Sequence, residues 1–164
     1  MTRKSRLLLL LPLVVALLSG CGGSEASSGS TGSSARAQLI AKADPICEAT
    51  IKRRLEEEKR LSAASTSGPP LKALASSAPG LAASQSRAVS QLRELSPPAT
   101  LAKDWQSMLA ALQQLATDTA RIGAYAKEKN VKALEKVVRT GGGTRRRLAS
   151  IATRDGLAPC ARAN

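Results

Sequence analysis

The chain has 164 residues, with 25 Lys and Arg against 12 Asp and Glu, no histidine, and a formal net charge of +13. That length suits one compact domain and hardly two, and the missing histidine removes His-based triads, His zinc sites and imidazole general bases. Phenylalanine is absent as well, and Trp105 and Tyr125 are the only aromatics. A core must therefore be assembled from Leu, Ile, Val and Ala, a set that favours close-packed helices over strands.

Arg3, Lys4 and Arg6 open the chain, and an apolar run from Leu7 to Leu18 follows, interrupted only by Pro12. At 12 residues the run is too short to span a bilayer, which takes about 20. A basic start, a short apolar stretch and small residues are instead the pattern of an export signal. The signal closes on Leu18-Ser19-Gly20-Cys21. This order resembles the lipobox of bacterial lipoproteins. The resemblance implies a thioether-linked diacylglyceryl group on Cys21, cleavage before it, and residence on the extracytoplasmic face of the cell membrane. The expected division is a signal peptide over 1–20, lipidated Cys21 and a tether over 21–35, and a helical domain over 36–164. The exported part then carries 22 basic and 12 acidic residues, a formal +10.

Gly22 to Ser34 is Gly/Ser-rich with Glu25 as its one charge, and buries too little apolar surface to order itself. Such a tether spans about 20 Å on average and about 45 Å when taut. Helical spacing follows, with Ile40, Cys47, Ile51, Leu55 and Leu61 or Ser62 on one face. Asp44-Pro45 is either the cap and first turn of this helix or a kink in one that begins near Arg36. Lys52, Arg53 and Arg54 stand four residues before Glu56, Glu57 and Glu58, and we read the three carboxylates as a solvated face rather than a cation site. Ser67-Gly68-Pro69-Pro70 breaks the pattern.

A second helix carries Leu71, Leu74, Ala78, Leu81, Gln85, Ala88, Leu92 and Leu95 in one register through Pro79, which predicts a kink rather than an end. Ser96-Pro97-Pro98 stops it. The third helix has the most regular stripe: Leu101, Trp105, Met108, Leu112, Leu115, Thr119, Ile122 and Ala126. Trp105 belongs to that stripe and to the core, while Tyr125 beside it is expected half exposed. Asn130 caps a fourth helix with Leu134, Val138, Leu148 and Ile151 or Ala152 inward, and Asp155-Gly156-Leu157 supplies a glycine stop. The fold class is all-α, an up-down-up-down four-helix bundle with kinked helices, in which the first helix pairs with the fourth. That pairing would bring Cys47 to Cys160. In an oxidising compartment the expectation is a disulfide, with two free thiols as the alternative.

Ala43-Asp44-Pro45-Ile46-Cys47, Leu95-Ser96-Pro97-Pro98 and Gly156-Leu157-Ala158-Pro159-Cys160 together resemble a group of small, helical, lipobox-led bacterial lipoproteins. The resemblance covers most of the exported chain. It implies the helical fold and the disulfide, and it implies no activity.

From Arg121 onward there are eleven Lys and Arg against Glu128, Glu135 and Asp155, a local charge of +8. Arg139, Arg145, Arg146, Arg147 and Arg154 are the candidate contacts to an anionic surface, whether lipid, wall polymer or an envelope protein. An ordinary solvated face is the competing reading. Nucleic acid is excluded by export and by the lack of an aromatic stacking platform. Gly141-Gly142-Gly143 before three arginines could form an anion nest, yet a kink or short exposed loop is the simpler account, since each glycine costs a helix about 1 kcal/mol. No cofactor, metal spacing or nucleophile–base pair is visible, so the expected function is a non-enzymatic binding or structural module. The alternative is a small-molecule or lipid carrier with a cleft between helices bent at Pro79 and the glycine run.

Overall fold

The computed structural model describes residues 28–67 and 70–163, with side chains for 32–64 and 70–163. The expected signal peptide, Cys21, the start of the expected tether and Gly68-Pro69 lie outside the described residues. Four long helices and a short fifth pack together, and no strand occurs among the described residues. They are α1 (Ser28–Ser67), α2 (Pro70–Arg93), α3 (Ala102–Lys127), α4 (Val131–Arg154) and α5 (Ala158–Arg162), with a 3-10 turn at Ala99–Leu101.

α1 is a single helix of 40 residues that continues through Pro45 and reaches back into the stretch expected as tether. Once a helix is nucleated each added residue brings a hydrogen bond, so Ser and Gly can extend it at little cost. Pro45 has no N–H for the carbonyl of Ala41. Both residues are exposed, so water can serve that carbonyl. α2 likewise runs unbroken through Pro79.

Two helix ends use the same device. After α3, Lys129 N–H donates to the Ala126 carbonyl at 3.2 Å and Asn130 N–H to the Tyr125 carbonyl at 2.9 Å. After α4, Gly156 N–H donates to Thr153 at 3.1 Å and Leu157 N–H to Ala152 at 2.8 Å. This paired pattern needs a residue at positive φ, supplied by Gly156 at +75° and, less comfortably, by Lys129 at +56°. Asn130 then caps α4, its side chain accepting from Ala133 N–H at 3.1 Å.

The core gathers Leu39, Ala43 and Cys47 of α1, Val89 and Leu92 of α2, Trp105, Met108, Leu112 and Leu115 of the α3 stripe, Leu148, Ile151 and Ala152 of α4, and Leu157 and Cys160. Trp105 is 2% exposed, as its place on the stripe requires. Two expected inward positions are corrected, since Leu55 and Val138 are each 46% exposed. The fully buried line of α1 passes through Leu39, Ala43, Cys47 and Thr50, with Ile40 and Ile51 partly buried against the core. α1 has a shallow amphipathic pattern, so packing against two partners chose its register.

The expected pairing of first and fourth helices is also corrected. α1 rests on α2 and on α5, and it scarcely touches α4. The turn at Gly156 folds α5 back so that it packs on both α1 and α4. Cys160 on α5 bonds to Cys47 across a sequence separation of 113 residues, with the Cα atoms 4.9 Å apart. Both cysteines are buried.

The glycine run does not break the chain. Gly141, Gly142 and Gly143 are helical residues within α4, which rules out the short loop expected there as one alternative. Burial of Gly141, Leu148, Ile151 and Ala152 on the inward face of α4 outweighs the local penalty. Gly123 is different in kind: a Cβ there would come within 3.0 Å of Ala78 Cβ and 3.2 Å of Pro79 Cδ. α2 and α3 therefore approach closely beside Pro79.

Opposite effects are expected from one substitution type. Gly143→Ala meets open space and should stabilise by about 0.5–1 kcal/mol, whereas Gly123→Ala should destabilise by about 1–3 kcal/mol. Thermal melts followed by circular dichroism would test the pair, and equal signs would refute the packing difference. Cys47→Ser should cost about 2–5 kcal/mol and lower the melting midpoint by about 10 °C. An unchanged midpoint would mean that α5 holds without its covalent tie.

Candidate functional site

The outward face of α4 is basic. Lys132, Lys136, Arg139, Arg146 and Arg147 are all exposed. At about 100° per residue they fall within a wedge of about 100°, and the stripe extends about 22 Å along the helix. Glu135 is the only acidic residue of α4. Among the described residues no ion pair involves any of the five cations. Their charge is therefore open to solvent and to any anion. Val131 and Val138, 49% and 46% exposed, stand one heptad apart on the flank of α4 that continues to Arg145, about 60–80° around the helix from the stripe.

The five arginines singled out from the sequence divide three ways. Arg139, Arg146 and Arg147 belong to the stripe. Arg154 is held elsewhere: its Nη2 lies 2.6 Å from Asp104 Oδ2, its Nε 3.6 Å from Asp155 Oδ1, and its carbonyl accepts from Arg36 Nη2 at 3.0 Å. It clamps the end of α4 to α3 and α1. Arg145 projects to a different side of α4 and lines the seam toward α1. Lys132 and Lys136 complete the stripe. They stand seven and three residues before Arg139, a helical spacing that is already present in the sequence.

Along that seam, α1 and α4 leave a cleft of ≈190 Å³. Leu74, Leu81, Leu115 and Ile122 form its apolar wall, and Arg54, Glu57, Glu58 and Arg145 supply its charges. Glu57 corrects the solvated-face expectation, because its side chain is only 8% exposed. Two cations of its own helix answer it, Arg53 Nη2 at 3.0 Å and Arg60 Nη1 at 3.2 Å. Arg54 Nε is 3.3 Å from Glu58 Oε1, close enough for an ion pair but poorly aligned for a hydrogen bond.

Two further carboxylates sit at helix contacts. Asp118 is buried where α3 meets α4, accepts from Gln114 Nε2 at 2.9 Å, and has Arg121 Nη1 at 3.5 Å. Its Oδ2 faces Gly141, where an added Cβ would lie 3.9 Å away. On α1, Asp44 Oδ1 is buried without a hydrogen-bond partner. Burial, and secondarily the charge of Glu48, raises its pKa above the usual carboxylate value.

Among the described residues no three His, Cys, Asp or Glu side chains gather as metal ligands. No described helix is long and apolar enough to cross a membrane. No protein-family model, curated protein or solved structure matches the chain.

Proposed function

We propose that this chain is a lipid-anchored lipoprotein of the cell envelope, a non-enzymatic module that lays α4 against the anionic surface of the membrane that holds it. The unpaired basic stripe on α4 is the observation that carries the reading. Near anionic lipid each such residue contributes about 1 kcal/mol, and the effect fades within a Debye length.

The lipobox order at Leu18-Ser19-Gly20-Cys21 supports the anchor, and the resemblance to small lipobox-led lipoproteins accords with it. Stable attachment takes two signals, and a diacyl group with a polybasic face would supply them. Short connections between successive long helices support an up-down-up-down order, with bends at Pro45 and Pro79. The lack of histidine, and the bonding of Cys47 to Cys160, support a role in binding over a role in catalysis.

The chain from residue 21, carrying Cys21→Ser, should bind phosphatidylglycerol vesicles at 0.01 M salt and release them progressively toward 0.15 M. Over that range the Debye length contracts from about 30 Å to about 8 Å. Replacing Arg139, Arg146 and Arg147 with Gln should weaken binding at least tenfold, since about 1.4 kcal/mol is a factor of ten and three contacts are lost. Arg154→Gln should lower thermal stability and leave vesicle affinity nearly unchanged. Equal affinity in wild type and the triple variant would sink the stripe reading; preference for purified wall polymer would transfer it to that surface.

In cells, Cys21→Ser in the full chain should abolish incorporation of labelled palmitate and leave the precursor uncleaved. Continued labelling with normal processing would overturn the anchor.

A further inference from the structure

The cleft between α1 and α4 is a consequence of the way α5 replaces one side of the bundle. Leu61, Leu74, Leu81 and Ile122 are half-buried along it, so apolar surface that would meet a facing helix meets the gap instead. Leu115 and Ala78 close the floor and are buried.

The four charged side chains that line it sum to zero, but their pairing leaves one cation over. Glu57 is answered by Arg53 and Arg60, and Glu58 by Arg54. Arg145 reaches the same cleft from α4 and, among the described residues, takes part in no ion pair. One uncompensated guanidinium thus stands at an apolar slot. Guanidinium groups recognise carboxylates in bidentate fashion, and a slot of this kind rewards a hydrocarbon tail.

We propose that the α1–α4 cleft is a binding site for a single-chain anionic amphiphile, a medium-length acyl carboxylate, with its tail on the Leu/Ile wall and its head on Arg145. Size selects this class. An aliphatic cavity of about 150 Å³ accepts benzene, and drug-sized ligands need about 300 Å³ or more. One turn of a partner helix, about 10 Å across and 5.4 Å tall, displaces about 400 Å³. At ≈190 Å³ the cleft has room for a short hydrocarbon chain and not for a helix. The site is independent of the membrane-facing stripe, since Arg145 lies off that face of α4.

Calorimetric titration of the chain from residue 21, carrying Cys21→Ser, with hexanoate, octanoate, decanoate and dodecanoate below their micellar concentrations tests the site. Saturable one-to-one binding is expected, with affinity rising about fourfold per added methylene until the slot is full and then levelling off. Arg145→Gln should weaken octanoate about tenfold and leave octanol unchanged, because only the carboxylate meets the guanidinium. Arg147→Gln, one residue away on the stripe, should leave octanoate unchanged, as should the triple Gln variant that loses vesicle binding. Non-saturable uptake, affinity that climbs without levelling, or equal losses in the Arg145 and Arg147 variants would overturn the proposal.

Discussion

The Cys47–Cys160 bond is the constraint on which the rest of the arrangement depends. α1 scarcely touches α4, and what joins the two ends of the chain is the short α5, packed against both and tied covalently to α1. A helix of five residues has almost no stability of its own, since nucleation alone is unfavourable. The bond, the Gly156 turn and the Arg36–Arg154–Asp104 clamp meet at the same end and hold α5 where a fourth-to-first helix contact would otherwise be needed. Closing a loop of 113 residues nominally stabilises by about 4–5 kcal/mol in the chain-entropy description.

Holding the ends this way leaves the middle of the α1–α4 side open. Elsewhere the helices come close because their contacts are small: Ala78, Pro79 and Gly123 between α2 and α3, and Gly141 against Asp118 between α3 and α4. A protein without phenylalanine gains less apolar area per side chain, and close approach of backbones recovers dispersion contacts. The cleft is where that strategy stops, since leucines there face a gap.

Charge is managed differently on the two outer helices. On α1, acids and bases alternate at spacings of three and four residues, and even the buried Glu57 is answered within its own helix. On α4, five cations line one face with a single glutamate nearby. Pairs at (i, i+4) are worth only tenths of a kcal/mol when exposed, so α1 gains little stability from them. Their consequence is a near balance, seven basic residues against five acidic ones along α1. α4 keeps its field, and it is the helix on which binding to an anionic surface would act.

Several features were readable without coordinates, because they depend on a few neighbouring residues. The α3 stripe from Trp105 to Ala126, the Asn130 cap, the Gly156 stop and the unbroken register of α2 through Pro79 are all local statements about spacing and backbone freedom. The net basic charge of the last third is equally a matter of composition. Other features were decided only by packing. The Gly141–Gly143 run looked like a loop because glycine propensity is local, yet the burial that keeps it helical comes from α3 across the interface. The inward line of α1 is centred on Leu39, with Ile40 partly buried beside it, and takes Glu57 inside, since a weakly patterned helix takes its rotation from its neighbours. Which arginines share a face, and which are drawn into a clamp or a cleft, followed from where Asp104 and the α1–α4 gap lie in space. The sequence by itself determined the helices and the sign of the charge, because these are short-range properties. Only the tertiary structure decided which side chains face each other, because that depends on contacts between residues far apart in the chain.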